Sequence, residues 1–263
     1  MFDSGFGGLT VARALIDLLP DEDLVYFGDT GRYPYGPRPL EEVRGFARQI
    51  TQLLVERHDV KMVVVACNNA SAAALDALRF ENEVPVVGVI DPGVRALLAA
   101  TRNRHIGVIA TVGTVASGAY QRAVAATRAP VQLQCAACPG FVEFVERGET
   151  GNEDVHVLAE RLLAPVRDAG VDALLLGCTH YPFLARTIGD VMGREVVLVS
   201  SADETAFEVR SILGETGLVR RAGRGTGKGR HTFVSSGDVE WFKRLGGRLL
   251  GPEVDDVEAW DWR

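Results

Sequence analysis

The chain has 263 residues, enough for one large domain or two ordinary ones and for a sizeable buried core. Lys and Arg number 28 against 35 Asp and Glu, a net charge of -7, so the totals demand no basic surface and make nucleic acid a poor default partner. Four cysteines are too few for a disulfide scaffold at this length and fit a reduced, cytoplasmic setting, and neither a secretory leader nor a run of about 18 apolar residues is present, so no membrane role is expected.

In chain order, Met1 and Phe2 form a stub of strand ahead of the turn Asp3-Ser4-Gly5-Phe6-Gly7-Gly8, which opens a helix over 9–19. Glycines there let a ligand approach the backbone, and the helix start behind them suits an anion. Asp3 and Ser4 add a carboxylate and a hydroxyl to the same crevice. A strand over 24–28 leads into a Pro- and Gly-rich loop, Asp29 to Pro39, then a helix over 39–57. Next comes the apolar run Val63-Val64-Val65-Ala66, ending on Cys67-Asn68-Asn69, with a helix over 70–79 and a strand over 84–90.

Asp91-Pro92-Gly93 punctuates the chain and marks a crossing into a second domain. The pattern restarts with a helix over 94–102, a strand over 105–110, a turn Thr111 to Thr114, a helix over 115–127 and a strand over 131–134. Cys135 and Cys138 have C-x-x-C spacing without a second pair or histidines near enough to complete a zinc site, so no metal is expected. A short helix over 141–147 puts Glu143 and Glu146 on one face, where at least one is expected to be solvated. After a helix over 154–168, Ala173-Leu174-Leu175-Leu176-Gly177-Cys178-Thr179-His180 repeats the plan of the first cysteine strand. A helix over 183–192, a strand over 196–199 and a helix over 203–213 follow. The segment 223–229 departs from a phosphate loop at Ala222 and Gly229 and reads as a surface loop. A strand over 231–235 and a helix over 239–245 precede an acidic, Trp-containing tail expected to be peripheral.

Alternating strands and helices imply parallel sheets, which bind ligands at the carboxyl ends of their strands. Both Cys67 and Cys178 occupy such ends, at a handover to a helix. Unpaired N–H groups there favour a thiolate and lower a cysteine's pKa. Two similar halves facing each other across a cleft would then put one thiol on each side of a substrate carbon. That is what stereoinversion by proton transfer requires: one group removes the hydrogen, the other returns it from the opposite face. Neither metal nor cofactor is needed, but the site must stabilise a carbanion-like transition state and exclude water.

The motifs Asp3 to Val11, Tyr26 to Thr30, Pro34-Tyr35-Gly36, Ala66-Cys67-Asn68 and Gly177-Cys178-Thr179-His180-Tyr181-Pro182 resemble, in order, those of the glutamate racemase family, and Cys138-Pro139 with Phe141-Val142 and Glu146 resembles its mid-chain segment. The likeness spans about residues 2 to 213. It implies an α/β protein of two pseudo-symmetric parallel-sheet domains with the active site in the cleft between them. The first domain would comprise 1–93 with a returning 206–263 and carry Cys67, and the second 94–205 and carry Cys178.

The resemblance also implies a cofactor-independent isomerase interconverting L- and D-glutamate for peptidoglycan, with Cys67 acting on the D isomer and Cys178 on the L isomer. Asp3, His180 and Glu146 would assist catalysis, and Ser4, Tyr35, Gly36, Asn68 and Thr179 would hold the amino acid. Asn69 stands where the family has a substrate-binding threonine. Several residues ahead of the Asp-Ser-Gly turn are implied where this chain has two. Either the start lies upstream or the sheet has a poor edge, and activation by a cell-wall precursor through an N-terminal extension is not expected. Homodimers are common in such a family.

The nearest alternative is a racemase of aspartate or a hydantoin. A pyridoxal-phosphate racemase would need a Schiff-base lysine, and Lys61, Lys228 and Lys243 lie outside the site motifs. A different class is a racemase-like binding or regulatory protein, such as a gyrase inhibitor, which has no use for paired reactive thiols.

Overall fold

The computed structural model describes residues 1–220 and 228–262, so the sequence expectation for 223–229 falls largely outside the described residues. In chain order the elements are β1 (Phe2–Asp3), α1 (Leu9–Leu18), β2 (Leu24–Gly28), α2 (Leu40–His58), β3 (Val63–Val65), α3 (Asn68–Glu81), β4 (Val86–Gly88), α4 (Ile90–Ala100), β5 (His105–Ala110), α5 (Val112–Ala116), α6 (Ala119–Thr127) and β6 (Gln132–Ala137). There follow α7 (Phe141–Arg147), α8 (Glu153–Asp168), β7 (Ala173–Gly177), a 3-10 turn at Tyr181–Leu184, α9 (Ala185–Met192), β8 (Val197–Val199), α10 (Ala202–Glu215), β9 (His231–Ser235), α11 (Val239–Leu250), a 3-10 turn at Gly251–Val254 and β10 (Val257–Ala259).

The chain divides into two compact units, Met1–Val89 with Ala202–Arg263, and Ile90–Ser201. Each is built on its own parallel sheet, as the alternation of elements predicts. The first sheet has the order β10-β9-β2-β1-β3-β4 and the second β6-β5-β7-β8. Among the described residues no helix is long and apolar enough to cross a membrane.

In the first unit the two-residue β1 is not an edge. Phe2 pairs with Phe27 of β2 on one side and Val65 of β3 on the other, so the shortest strand sits inside the sheet. The expected poor edge is therefore corrected: flanking strands supply the backbone partners that β1 itself is too short to organise. Leu9, Ala12, Leu15 and Ile16 turn the apolar face of α1 inward as its periodicity dictates. Helix α2 buries Val43, Ala47, Ile50 and Leu54, and its Glu41 and Glu42 start and Arg57 and His58 end complement the helix dipole. Strand β3 is three fully buried valines, the pattern of a strand covered on both faces. A cavity of about 460 Å³ among Met1, Leu15, Val25, Lys61, Val64 and Val209 opens at the amino-terminal ends of these strands and contains none of the candidate site residues.

The expectation of a peripheral tail is overturned. β10 extends the sheet beside β9, with Val257 opposite Phe233, and Trp260 N donates to Ser235 O at 2.8 Å. Trp260 and Trp262 pack against the core that holds Phe27, Tyr35 and Val43. The acidic composition misled because Asp255, Asp256 and Glu258 face solvent while Val257 is buried and the two indoles are half-buried.

In the second unit β5 and β7 are central and almost wholly buried. The crossing between the units falls at Ile90, directly ahead of Asp91-Pro92-Gly93, and these three residues form the first turn of α4. A proline is tolerated there because its missing N–H has no partner in the first turn anyway. Residues Thr111 to Thr114, expected as a turn, cap and begin α5, the Thr111 hydroxyl accepting from Thr114 N at 3.4 Å. Strand β6 runs to Ala137, so Cys135 lies inside a strand and the C-x-x-C spacing spans a strand end.

Candidate active site

The first unit gathers its candidate residues at the carboxyl ends of β1 and β3. Strand β3 ends two residues before α3, which leaves Cys67 as the residue capping that helix, with extended backbone. Asp3, Ser4, Cys67, Asn68 and Asn69 are all buried. The Asp3 carboxylate accepts from Ser4 Oγ and from Gly5 N, both at 3.0 Å, and the Cys67 thiol lies 3.8 Å from Ser4 Oγ. Gly8 is fixed by crowding: a Cβ there would stand 2.7 Å from Asp3 Cβ and Oδ2 and 2.9 Å from the Tyr26 hydroxyl. The turn therefore closes on the carboxylate only because position 8 has no side chain.

The electrostatics of Cys67 reverse the sequence expectation. Burial pushes its thiol up to about 12, the neighbouring Asp3 charge adds to this, and the N–H groups of Ala70 and Ser4 and the Ser4 hydroxyl oppose it without prevailing. The helix start does favour a thiolate, as local reasoning says. It is outweighed by desolvation and by a carboxylate distant in sequence. The surroundings of Cys67 therefore favour the protonated thiol.

The loop Asp29 to Pro39 supplies Tyr35 and Gly36. The Tyr35 hydroxyl donates to Asp29 Oδ2, burial and that carboxylate together raising its pKa, while its carbonyl accepts from the Asn69 amide at 2.5 Å. Tyr35 is thus buried, held at its hydroxyl by Asp29 and at its carbonyl by Asn69. Asn69 is engaged in holding this loop.

The second unit gathers Cys178, Thr179 and His180 at the end of β7, all buried. Gly177 has to be glycine, since a Cβ would lie 2.8 Å from Ile109 O of the neighbouring strand. His180 Nε2 lies 3.4 Å from Glu146 Oε1, with the imidazole side chain 3% exposed and the carboxylate 17%. Glu146 reaches it because α7 is docked on the turn after Cys178: Phe141 meets Tyr181 edge-on at 5.4 Å, and the Tyr181 hydroxyl donates to Cys138 O at 3.0 Å. Glu143, on the same helix, is exposed and is the solvated member of the pair. Burial pushes Cys135 and Cys138 up to about 11 and about 12, which disfavours the reactive thiolate at both.

Sequence reasoning missed Thr111 and Thr114. Ala110 pairs with Gly177, so Thr111 emerges from the sheet beside Cys178, at the start of a helix. The signal was available as a threonine directly after an apolar strand and another three residues on, an N-cap pattern read instead as a plain turn. Among the described residues no group of three or more His, Cys, Asp or Glu could hold a metal ion.

Each sheet therefore ends on a buried cysteine escorted by hydroxyls or amides and by an ionisable neighbour, Asp3 for one and the His180–Glu146 pair in the turn after the other. Comparison with known proteins agrees with the motif resemblance. The family model described as Asp/Glu/Hydantoin racemase matches residues 9–207. A glutamate racemase of Beutenbergia cavernae is 54% identical over 267 residues, covering 98% of this chain and 90% of the relative. A solved glutamate racemase isoform from Bacillus anthracis superposes with TM-score 0.91 at 38% identity, covering 100% of this chain and 96% of that one. The Francisella tularensis glutamate racemase, solved in complex with D-glutamate, gives TM-score 0.90 at 31% identity, covering 99% and 95%. On this evidence the chain belongs to the Asp/Glu/Hydantoin racemase family and is an amino-acid racemase.

Proposed function

We propose that the chain interconverts L- and D-glutamate by two-base proton transfer between Cys67 and Cys178, with no group beyond its own side chains, and so supplies D-glutamate for peptidoglycan in the cytoplasm. The observation that carries this reading is the duplication: two parallel sheets, each ending on a buried cysteine at a strand-to-helix handover. The relatives that share its sequence along nearly their whole length and act on glutamate by name support the choice of substrate.

On L-glutamate the Cys178 thiolate takes the α-proton and becomes a thiol, while the electron pair stays on the α-carbon. The Cys67 thiol then gives its proton to the opposite face and is left as a thiolate, and D-glutamate departs. The reverse reaction exchanges the roles. Cys67 suits the donor step because burial and Asp3 keep it protonated. To act as base on the D isomer it must first lose that proton, and the ammonium group of the substrate, brought into the same buried space, supplies the positive charge that favours the thiolate. His180, whose Nε2 lies 3.4 Å from Glu146 Oε1, would exchange protons beside Cys178, and Asp3 with Ser4 would do so beside Cys67. The backbone of Tyr35-Gly36, Ser4, Asn68 and Thr179 would hold the amino acid, with Asn69 fixing the loop.

The test is L-glutamate in D2O with the dialysed protein and no added cofactor, following deuterium at the α-carbon by NMR and optical rotation in parallel. Racemisation with one deuterium per product molecule is expected. Absence of α-exchange in either direction would sink the glutamate reading, and exchange with aspartate instead would move it to the alternative substrate.

A further inference from the structure

The Asp29 carboxylate is fully buried and collects donors from three separate parts of the first unit. Oδ2 accepts from the Tyr35 hydroxyl and from Arg32 Nε at 2.7 Å, and Oδ1 accepts from Ser236 Oγ at 2.6 Å and from Trp262 Nε1 at 2.9 Å. Its own N–H donates to Asp3 O at 2.9 Å, which places the cluster one hydrogen bond from the carboxylate neighbour of Cys67. The Arg32 guanidinium is held between two rings, 3.9 Å from the Trp262 centroid and 4.2 Å from that of Phe46. Trp262 completes its packing at 5.4 Å from Phe27 and 5.9 Å from Trp260.

These contacts converge on a loop that has neither helix nor strand between Asp29 and Pro39. Its beginning is tied to the end of β9, where Thr30 Oγ1 meets Ser235 Oγ at 2.7 Å and Gly31 N donates to Ser236 Oγ at 3.0 Å. Its middle is tied through Tyr35 and Arg32 to Asp29. Trp262 touches both Asp29 and Arg32 and so closes the arrangement from outside the loop.

We propose that Trp262, acting through Asp29 and Arg32, is a positioning residue that locks the 29–39 loop and thereby sets the backbone of Tyr35-Gly36 for substrate. The proposal rests on the racemase reading for the part the loop plays. Trp262 itself lies behind the loop and performs no proton transfer. A buried carboxylate deprived of a donor is costly, so the cluster holds together as a unit and loosens as one.

The experiment compares wild type with Trp262→Ala and Trp262→Phe, the second keeping a ring over Arg32 but losing the N–H donor. Amide hydrogen exchange over residues 31–38 is expected to quicken about tenfold or more in the alanine variant and less in the phenylalanine variant, with β5 and β7 unchanged. KM for glutamate is expected to rise about two- to tenfold, the worth of one hydrogen bond or somewhat more, with kcat changed less than KM. Should Trp262→Ala fail to fold, Ser236→Ala, which removes the other Oδ1 donor, takes its place. Unchanged exchange over 31–38 overturns the lock, and a loosened loop with unchanged KM overturns its role in binding. A wild type that turns over no glutamate sinks the racemase reading alone, since the exchange comparison needs no activity.

Discussion

Cys67 and Cys178 sit at the same kind of place, the carboxyl end of an inner strand, yet their neighbours differ in kind. Cys67 is bordered by an anion: Asp3 is buried with it and helps to push its thiol up to about 12. Cys178 is followed by an imidazole, His180, which a carboxylate on a separate helix approaches at 3.4 Å. A carboxylate resists a second negative charge beside it, whereas an imidazole can accept or supply a proton near neutral pH. The two thiols therefore hold the same kind of place in the fold and differ in their neighbours. In the proposed two-base scheme one thiol acts as base and the other as acid, and the two need not have identical surroundings.

The comparison breaks most completely if either thiol is removed. Cys67→Ala and Cys178→Ala should each lower kcat about a hundredfold to ten-thousandfold, the range for loss of a positioned proton-transfer group, with circular dichroism unchanged. Near-normal turnover in either variant rejects the two-base scheme. Next comes His180→Asn, for which a roughly tenfold loss is expected, smaller than that of a cysteine variant because the group assists the proton transfer and does not carry it. A loss as great as that of Cys178→Ala would make His180 the proton donor itself.

The inequality is sharpened by titration. Asp3→Asn removes the negative charge beside Cys67 and should bring the thiol's titration, read as thiolate absorbance, below about 12, while Glu146→Gln should leave it where it is. Movement with Glu146→Gln and none with Asp3→Asn contradicts the assignment of neighbours. Stability follows with a definite sign. A thiol whose folded pKa is raised from 9.0 to about 12 binds more protons folded than unfolded in that interval. Its contribution is full below about pH 9 and is lost as the pH climbs towards 12, and Cys135 and Cys138 act in the same direction. Denaturant midpoints should accordingly fall across that window. They should fall less steeply in Cys67→Ala, and a flat midpoint in wild type would refute the raised values.

The smallest expected effect belongs to Gly177→Ala. A methyl 2.8 Å from Ile109 O has to displace a strand, at a cost of about 1 to 3 kcal/mol, which a thermal melt reads directly. An undiminished melting temperature would mean the sheet gives way more easily than a close-packed interior should.

The first sheet was legible where signals are local. Val63 to Val65 announces a buried strand by three consecutive β-branched residues, and the polar run after Cys67 announces a helix start. What escaped depended on residues far apart in sequence. The raised pKa of Cys67 needs Asp3, 64 positions earlier, and the burial of both. Trp262 reads as part of an acidic tail until β10 is seen to pair with β9, which carries its indole to Asp29. Pro92 reads as punctuation because the same residue that ends a helix is also at home in its first turn. Glu146 was nameable from its motif, but nothing in the spacing shows that Phe141 and Tyr181 bring it to His180.

The first unit opens with β1 to β4, but β9, the neighbour of β2, arrives only after the whole of 90–201 has been spelled out. During synthesis the second unit has all of its strands once β8 has emerged, while β2 still shows an unpaired edge to the cell. The donors that surround Asp29 come last, with Ser236 and then Trp262. A ribosome stalled between β8 and β9 would therefore present one half with all its strands and one half with an edge open to mispairing.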